Sequence, residues 1–286
     1  MEVIMPTLPE DEQVRGQVYL CQTGPCVSCG SCCGLYNMAD LSRERLRAIL
    51  AERTDSFAKV PRTIDGILAF EQERARREDA PIEDFHHCVF VGLIRDEGER
   101  IGCLLHPLAS GNGGIDWRGL SFYGGAACKH FFCPSYDELE ARFKRVTREV
   151  LEDWYEFGLI IPEHRFLEAA LGAVESLLGF PLDTHTLAQE EKAGLAELLR
   201  LKLHWPFRDK KRPLAWNFFS TRETKRPTLL EDKPGQDRQI RQMLHELETL
   251  PEHAQEAEKL LQELLSRVVL SLRPKQEDRR GGRSLG

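Results

Sequence analysis

The chain has 286 residues, 41% of them hydrophobic and 30% charged, with a net charge of −7. That length supports a sizeable core in one or two domains, so its nine cysteines are not needed to staple a minimal fold. The acidic balance argues against a broad nucleic-acid-binding surface.

The opening stretch, Met1 to Glu12, is acidic and carries Pro6 and Pro9. It has no basic segment followed by an apolar run, so no secretory signal is expected. No uninterrupted apolar run of about 18 residues occurs, so no membrane span is expected. Together these predict a cytoplasmic location. In a reducing compartment, clustered cysteines are metal ligands or catalytic groups before they are disulfides.

In chain order, residues 1–15 read as a flexible or loosely docked lead-in. Gly16 to Cys21 suits a short strand. Cys21 stands outside the repeated cysteine spacing and reads as a small buried apolar residue. Cys26, Cys29, Cys32 and Cys33 then fall within eight residues, among Gly24, Pro25, Gly30 and Gly34. Asp40 or Ser42 can cap a helix over about 41–53, with Leu46, Ile49 and Leu50 on one face. A second, charged helix is expected over 64–78, with Ile64, Ile67 and Leu68 on its apolar side.

The β-formers from Cys88 to Ile94, the turn Asp96-Glu97-Gly98-Glu99 and the run Arg100 to Leu105 predict a β-hairpin. Such a hairpin brings Cys88 and Cys103 near its open end. A glycine-rich loop follows over 110–125, without the spacing of a phosphate-binding loop. Cys128 and Cys133 close the cysteine region. Ser135-x-x-Glu138 reads as a capping box opening one helix through Leu139, Phe143, Val146, Val150, Trp154 and Phe157. Its N-terminus would face the Cys133 thiolate.

The rest reads as helix. Pro162 starts one helix, Gly179 ends it, and Thr186-x-x-Gln189 opens the next, which ends before Pro206. Asp237–Leu250 and Pro251–Leu272 suggest an antiparallel helical hairpin. Residues 275–286 are polar and glycine-rich, as a disordered tail would be. The fold expected is α+β and mainly α-helical. A small cysteine-rich metal module with a β-hairpin (16–135) precedes a helical region (136–273), with a disordered tail at 274–286.

Setting Cys21 aside leaves Cys26, Cys29, Cys32, Cys33, Cys88, Cys103, Cys128 and Cys133 as candidate metal ligands. A Cys-x-x-Cys turn directs two sulfurs at one ion, and a third cysteine three residues later can join them. Adjacent side chains diverge, so the vicinal Cys32-Cys33 pair suggests two centres that divide it. Soft thiolate ligands suit an iron–sulfur cluster, the preferred cofactor, or zinc. His86, His87, His106 and His130 lie close to cysteines, but eight thiolates leave them as neighbours of ligands.

The run Cys26-x-x-Cys29-x-x-Cys32-Cys33 resembles the signature of the YkgJ-like cysteine-cluster family, the zinc- or iron-chelating CxxCxxCC proteins. The order continues through Cys88-Val-Phe90, Gly102-Cys103 with His106-Pro107, and Cys128-Lys129-x-x-x-Cys133. The likeness covers roughly residues 24–135. His106-Pro107 stands where that family has Arg-Pro, and a glycine-rich insertion separates it from Cys128. The resemblance implies metal binding. Flagellin lysine N-methylases carry a similar cysteine module, which adds protein modification as an alternative, although no methyl-donor motif is present.

Residues 205–226 interleave Trp205, Phe207, Trp216, Phe218 and Phe219 with Arg208, Lys210, Lys211, Arg212, Arg222, Lys225 and Arg226. Such a stretch can bind single strands, but in an acidic chain it reads as a crossover loop whose aromatics plug the core. A protein partner is the next choice. A zinc-stabilised structural or interaction module without catalysis remains an alternative to a redox role.

Overall fold

The computed structural model describes residues 8–77, 87–182, 187–210, 214 and 237–273. The architecture is α+β and mainly helical, with a single antiparallel hairpin among the described residues. Helices α1 (Arg43–Phe57) and α2 (Ile64–Arg77) precede strands β1 (Val91–Arg95) and β2 (Glu99–Cys103). Three short or medium helices follow: α3 (Gly124–His130), α4 (Ser135–Glu138) and α5 (Ala141–Val150). The remainder comprises α6 (Trp154–Ile160), α7 (His164–Leu178), α8 (Gln189–His204), α9 (Arg238–Glu246) and α10 (Ala254–Leu272).

The hairpin forms where β-branched and apolar residues flank a tight turn. Val91 pairs with Cys103, and Arg95 with Glu99. Helix α1 covers it, burying Leu46, Ile49, Leu50 and Phe57. The Ser42 hydroxyl accepts the Arg45 N–H at 3.4 Å and caps this helix. Thr54 acts as a surrogate strand partner, its hydroxyl accepting the Leu93 N–H at 2.8 Å and donating to the Leu93 carbonyl at 3.0 Å. A Cβ at Gly92 would run into that hydroxyl, so the helix can approach the strand only at a glycine.

Two apolar cores result. One unites Val18, Leu20 and Cys133 with the inward faces of α5 to α10. The other holds the hairpin, the inner faces of α1 and α2, and Leu35, Tyr36 and Met38. Helix α6 serves both, placing Phe157 and Ile160 in the first and Trp154 and Leu159 in the second. The cores therefore do not divide at residue 135. The segment before α1 belongs partly to the helical core.

Several local expectations are corrected. Gly16 to Cys21 is not a strand: Gly16 and Gln17 have positive φ within a 3-10 turn, and Gly16 lies too close to Tyr136 and Lys144 for any side chain. Residues 8–15 are anchored, because Asp11 is buried and pairs with Arg148 at 2.8 Å. Ile64 in α2 faces out, while Ile67, Phe70 and Arg74 turn in. The single helix expected beyond Ser135 is three. Leu139 and Leu151 take extended backbone, and Asp153 restarts the chain by accepting the Tyr155 and Glu156 N–H groups at 2.8 and 3.0 Å. Ser135 does not cap; its hydroxyl donates to the Ile161 carbonyl at 2.8 Å.

Helices α9 and α10 touch each other, but α9 lies chiefly against α7, and α10 against α8 and α7. They complete a four-helix packing rather than a separate hairpin. Gly179 ends α7 in the left-handed conformation, as expected of a C-terminal glycine. No helix among the described residues is long and apolar enough to cross a membrane.

Candidate metal centre

All nine cysteines are free thiols. Cys88 and Cys133 are buried, Cys21, Cys29, Cys32, Cys33 and Cys103 half-buried, and Cys26 and Cys128 exposed. All but Cys26 converge from four parts of the chain on the seam between the two cores, and they divide between those cores. Cys21, Cys29 and Cys32 pack with Cys133 on the helical core. Cys33 and Cys103 pack with Cys88 on the hairpin core.

The first gathering rests on backbone pairing. Gln22 and Ser28 form an isolated antiparallel bridge, and the Cys29 N–H donates to the Cys21 carbonyl at 3.0 Å. The intervening turn is closed by the Thr23 and Gly24 N–H groups on the Val27 carbonyl, at 3.0 and 3.2 Å. Cys133 enters just before α4. Its carbonyl accepts the Tyr136 N–H at 2.9 Å. The Tyr136 hydroxyl accepts the Leu20 N–H at 2.8 Å and lies 3.2 Å from the Cys21 sulfur. The Cys29 sulfur receives the Ser31 N–H at 3.5 Å and reaches the Gly158 carbonyl at 3.7 Å.

The second gathering begins one residue later. A 3-10 turn over Ser31–Cys33, closed by Gly34 in the left-handed conformation, sends Cys33 away from Cys32. The Cys33 carbonyl accepts the Cys88 N–H at 2.8 Å. Phe90 and Leu104 continue the hairpin ladder at 2.8 Å, which brings Cys88 beside the Cys103 end. Cys128, in α3, lies 3.3 Å from the Ser121 hydroxyl. Asp116 clasps Arg118 at 2.9 Å and Lys129 at 2.8 Å beside this group.

The electrostatics follow the same division. Burial pushes the Cys29 thiol well above the usual range, and the Cys133 and Cys21 sulfurs push it further. Cys32 is raised first by its hydrogen bond to Cys133, then by burial. That bond leads in drawing Cys133 down to about 7, helped against burial by the Ser135 and Tyr136 amides. These amides open α4, so the helix start does favour the Cys133 thiolate. With only four residues in α4, individual N–H groups achieve this, with little help from a macrodipole. In the second group burial raises Cys33, with Cys88, Cys103 and Cys128 adding to it. Burial likewise raises Cys88 to about 12 and Cys103 to about 11.

Thiols so close cannot all ionise, because each thiolate opposes the next. A soft cation reverses that balance by taking the place of the protons, so the donor chemistry fits a thiolate-bound metal. The side-chain orientations are not those of a finished site: among the described residues no three His, Cys, Asp or Glu side chains form a group able to hold a metal ion.

Of the eight cysteines singled out from the sequence, the structure draws seven into these two gatherings and leaves Cys26 apart. A Cβ at Gly98 would lie 2.7 Å from the Cys26 sulfur, which therefore sits at the closed end of the hairpin. Cys21, read from the sequence as a small buried apolar residue ahead of a ligand or redox role, lies within the first gathering. Its signal was its placement across the Gly24-Pro25 turn from Cys29. Arg53 was also missed. It is fully buried and donates to the Cys88 and Val91 carbonyls, at 3.2 Å each.

Among the described residues no histidine joins a group able to hold a metal ion. His87 is buried against Arg53, and His106 Nδ1 accepts the Leu108 N–H at 3.2 Å. His130 is exposed at the end of α3, and His86 lies outside the described residues. Trp205 is buried with its indole N–H donating to Thr249 at 3.0 Å, and Phe207 packs edge-on to it. These two aromatics plug the core as expected; Lys211, Arg212 and residues 215–226 lie outside the described residues. Thr186 and the 274–286 tail lie outside them too. Comparison with family models, curated proteins and solved structures yields no match.

Proposed function

We propose that this protein binds metal through cysteine thiolates, as an iron–sulfur or zinc protein of the kind the YkgJ-like resemblance implies. The observation that supports it best is the gathering of free thiols at the seam of two cores, where burial and mutual repulsion raise most of them. Thiols merely filling a core would have no reason to face one another. Iron–sulfur is the preferred occupant because the donors are all soft and sulfur-directed N–H and O–H groups stand beside them. Such a cluster supplies one-electron chemistry when bound. Cys29, Cys32, Cys33, Cys88, Cys103, Cys128 and Cys133 would hold the metal, and Ser31 and Tyr136 would orient and polarise the sulfurs.

A zinc-stabilised module without catalysis is the second reading. It is favoured by sulfurs that come from segments far apart in the chain and pack against each core, where a closed metal site would cross-link those segments. A protein partner bound through the 205–226 stretch and a lysine-modifying activity remain compatible with either reading. The open cleft between α1 and α2, lined by Ser56, Val60, Phe70 and Arg74, contains none of the cysteines and offers no link to such chemistry.

Anaerobic purification with metal analysis and a visible spectrum tests the proposal. Iron with acid-labile sulfide and a bleachable brown chromophore is the expected result. Stoichiometric zinc without a chromophore would select the second reading. A chain that takes up neither metal, as purified or after reconstitution, would refute both.

A further inference from the structure

We infer that the cysteines form two separate four-sulfur sites, Cys21 with Cys29, Cys32 and Cys133, and Cys33 with Cys88, Cys103 and Cys128, each suited to a zinc ion or a [4Fe–4S] cluster. This rests on the thiolate-metal reading above; against the eight cysteines singled out from the sequence, Cys21 enters and Cys26 stays out.

Three independent features carry it. First, the packing divides the cysteines. Cys21, Cys29, Cys32 and Cys133 belong to the helical core, and Cys33, Cys88 and Cys103 to the hairpin core. Cys128 joins the second set through α3, which packs on the 3-10 turn Arg118–Leu120, whose Leu120 lies against the hairpin core with Trp117. Second, backbone hydrogen bonds tie one pair within each set, Cys29 to Cys21 at 3.0 Å and Cys88 to Cys33 at 2.8 Å. Those ties hold the two main chains of each pair close however their side chains turn about χ1.

Third, Cys26 is at the wrong end of the hairpin. Its sulfur packs on Gly98, beyond the Arg95–Glu99 pair, whereas Cys103 pairs with Val91. Four strand residues separate Glu99 from Cys103, or about 13 Å. A metal–sulfur bond of about 2.3 Å cannot span that gap. Cys21, in contrast, has a built environment. The Tyr136 hydroxyl already accepts the Leu20 N–H, which leaves its proton to point at the Cys21 sulfur 3.2 Å away. A metal-bound thiolate has no proton of its own, so this donor is the one it requires.

The test is metal content per chain, measured on the full-length protein purified anaerobically. Cys26→Ser should retain the wild-type amount. Cys21→Ser and Cys128→Ser should each retain about half, and the double variant should retain almost none. Loss of metal in Cys26→Ser with full retention in Cys21→Ser would overturn the assignment while leaving metal binding intact. A wild-type chain that takes up no metal would instead remove the underlying reading. Should Cys21→Ser fail to fold, iodoacetamide labelling of the native, metal-loaded wild-type chain decides the matter. Modification of Cys26 with protection of Cys21 supports the assignment; modification of Cys21 overturns it.

Discussion

Arg53 is a guanidinium with no exposed surface, held on α1 and donating to the Cys88 and Val91 carbonyls at 3.2 Å. A cation so placed is retained because it satisfies carbonyls that enter a strand beside buried thiols, where no ladder partner reaches them. Arg53→Met keeps the apolar stem and removes the donors, taking from the Val91 carbonyl its guanidinium bond and leaving the Cys88 carbonyl only the long contact from the Val91 N–H at 3.5 Å. The expected cost is about 3 kcal/mol, read as a lower urea midpoint with unchanged slope. The proposed metal set around Cys88 should suffer with it, and that around Cys133 should not. Retention of all metal by the variant would count against a positioning role. This residue was not legible in the sequence, where it stands only at the end of the helix expected over about 41–53. Its partner carbonyls are more than thirty residues away, and no local pattern encodes them. Cys21 escaped for the same reason. Its companions become visible only once the chain from 22 to 28 has closed on itself.

At the scale of elements, local signals served well where they were local. The hairpin was legible from its β-formers and its turn, and α1, α7 and α8 from their apolar stripes. The run from Ser135 to Phe157 was misread as one helix because its apolar spacing continues through two breaks. Asp153 re-caps the chain at the second, and aspartate reads equally well as an exposed helical residue. The lead-in was misread because composition does not show a tertiary ion pair. Asp11 pays for its burial through Arg148 at 2.8 and 3.0 Å and through the Tyr19 and Leu8 N–H groups at 2.6 and 3.1 Å. Those bonds outweigh desolvation and hold its carboxyl below the ordinary value of 3.8. A depressed carboxyl contributes its full stabilisation above the unfolded value and loses it as pH falls through the folded one. Asp11→Asn should therefore cost about 2 kcal/mol at pH 7, with the gap to wild type closing in acid well below 3.8, where the carboxyl is protonated in both states. Urea melts at the two pH values measure this; an undiminished gap in acid would show that the charge is irrelevant.

For the molecule as a whole, the division of the chain at residue 135 does not survive in the packing. Helix α6 contributes Phe157 and Ile160 to one core and Trp154 and Leu159 to the other. The Arg43–Asp153 pair at 2.9 Å and the Tyr155 hydroxyl on the Leu41 carbonyl at 2.8 Å join α1 to the same helix. Two cores that share an element should melt together. Calorimetry of the metal-loaded chain is expected to show one cooperative transition, with calorimetric and van't Hoff enthalpies in agreement. Two resolved transitions would show that the cores are independent. Fold class was legible because it sums many local signals. The interleaving was not, since it depends on where a seven-residue helix lands.

The Cys32–Cys33 step places one sulfur on each side of a single peptide unit. Successive Cα atoms lie about 3.8 Å apart, so under the proposed assignment the two centres stand on the order of 10 Å from each other. At that separation, and with an effective dielectric near 20, one elementary charge acts on another with about 1–2 kcal/mol. An electron or a net negative charge arriving at one centre would make the same event at its neighbour harder by about tenfold. The two sites would then fill and titrate as an interacting pair, with two macroscopic steps where a lone site has one.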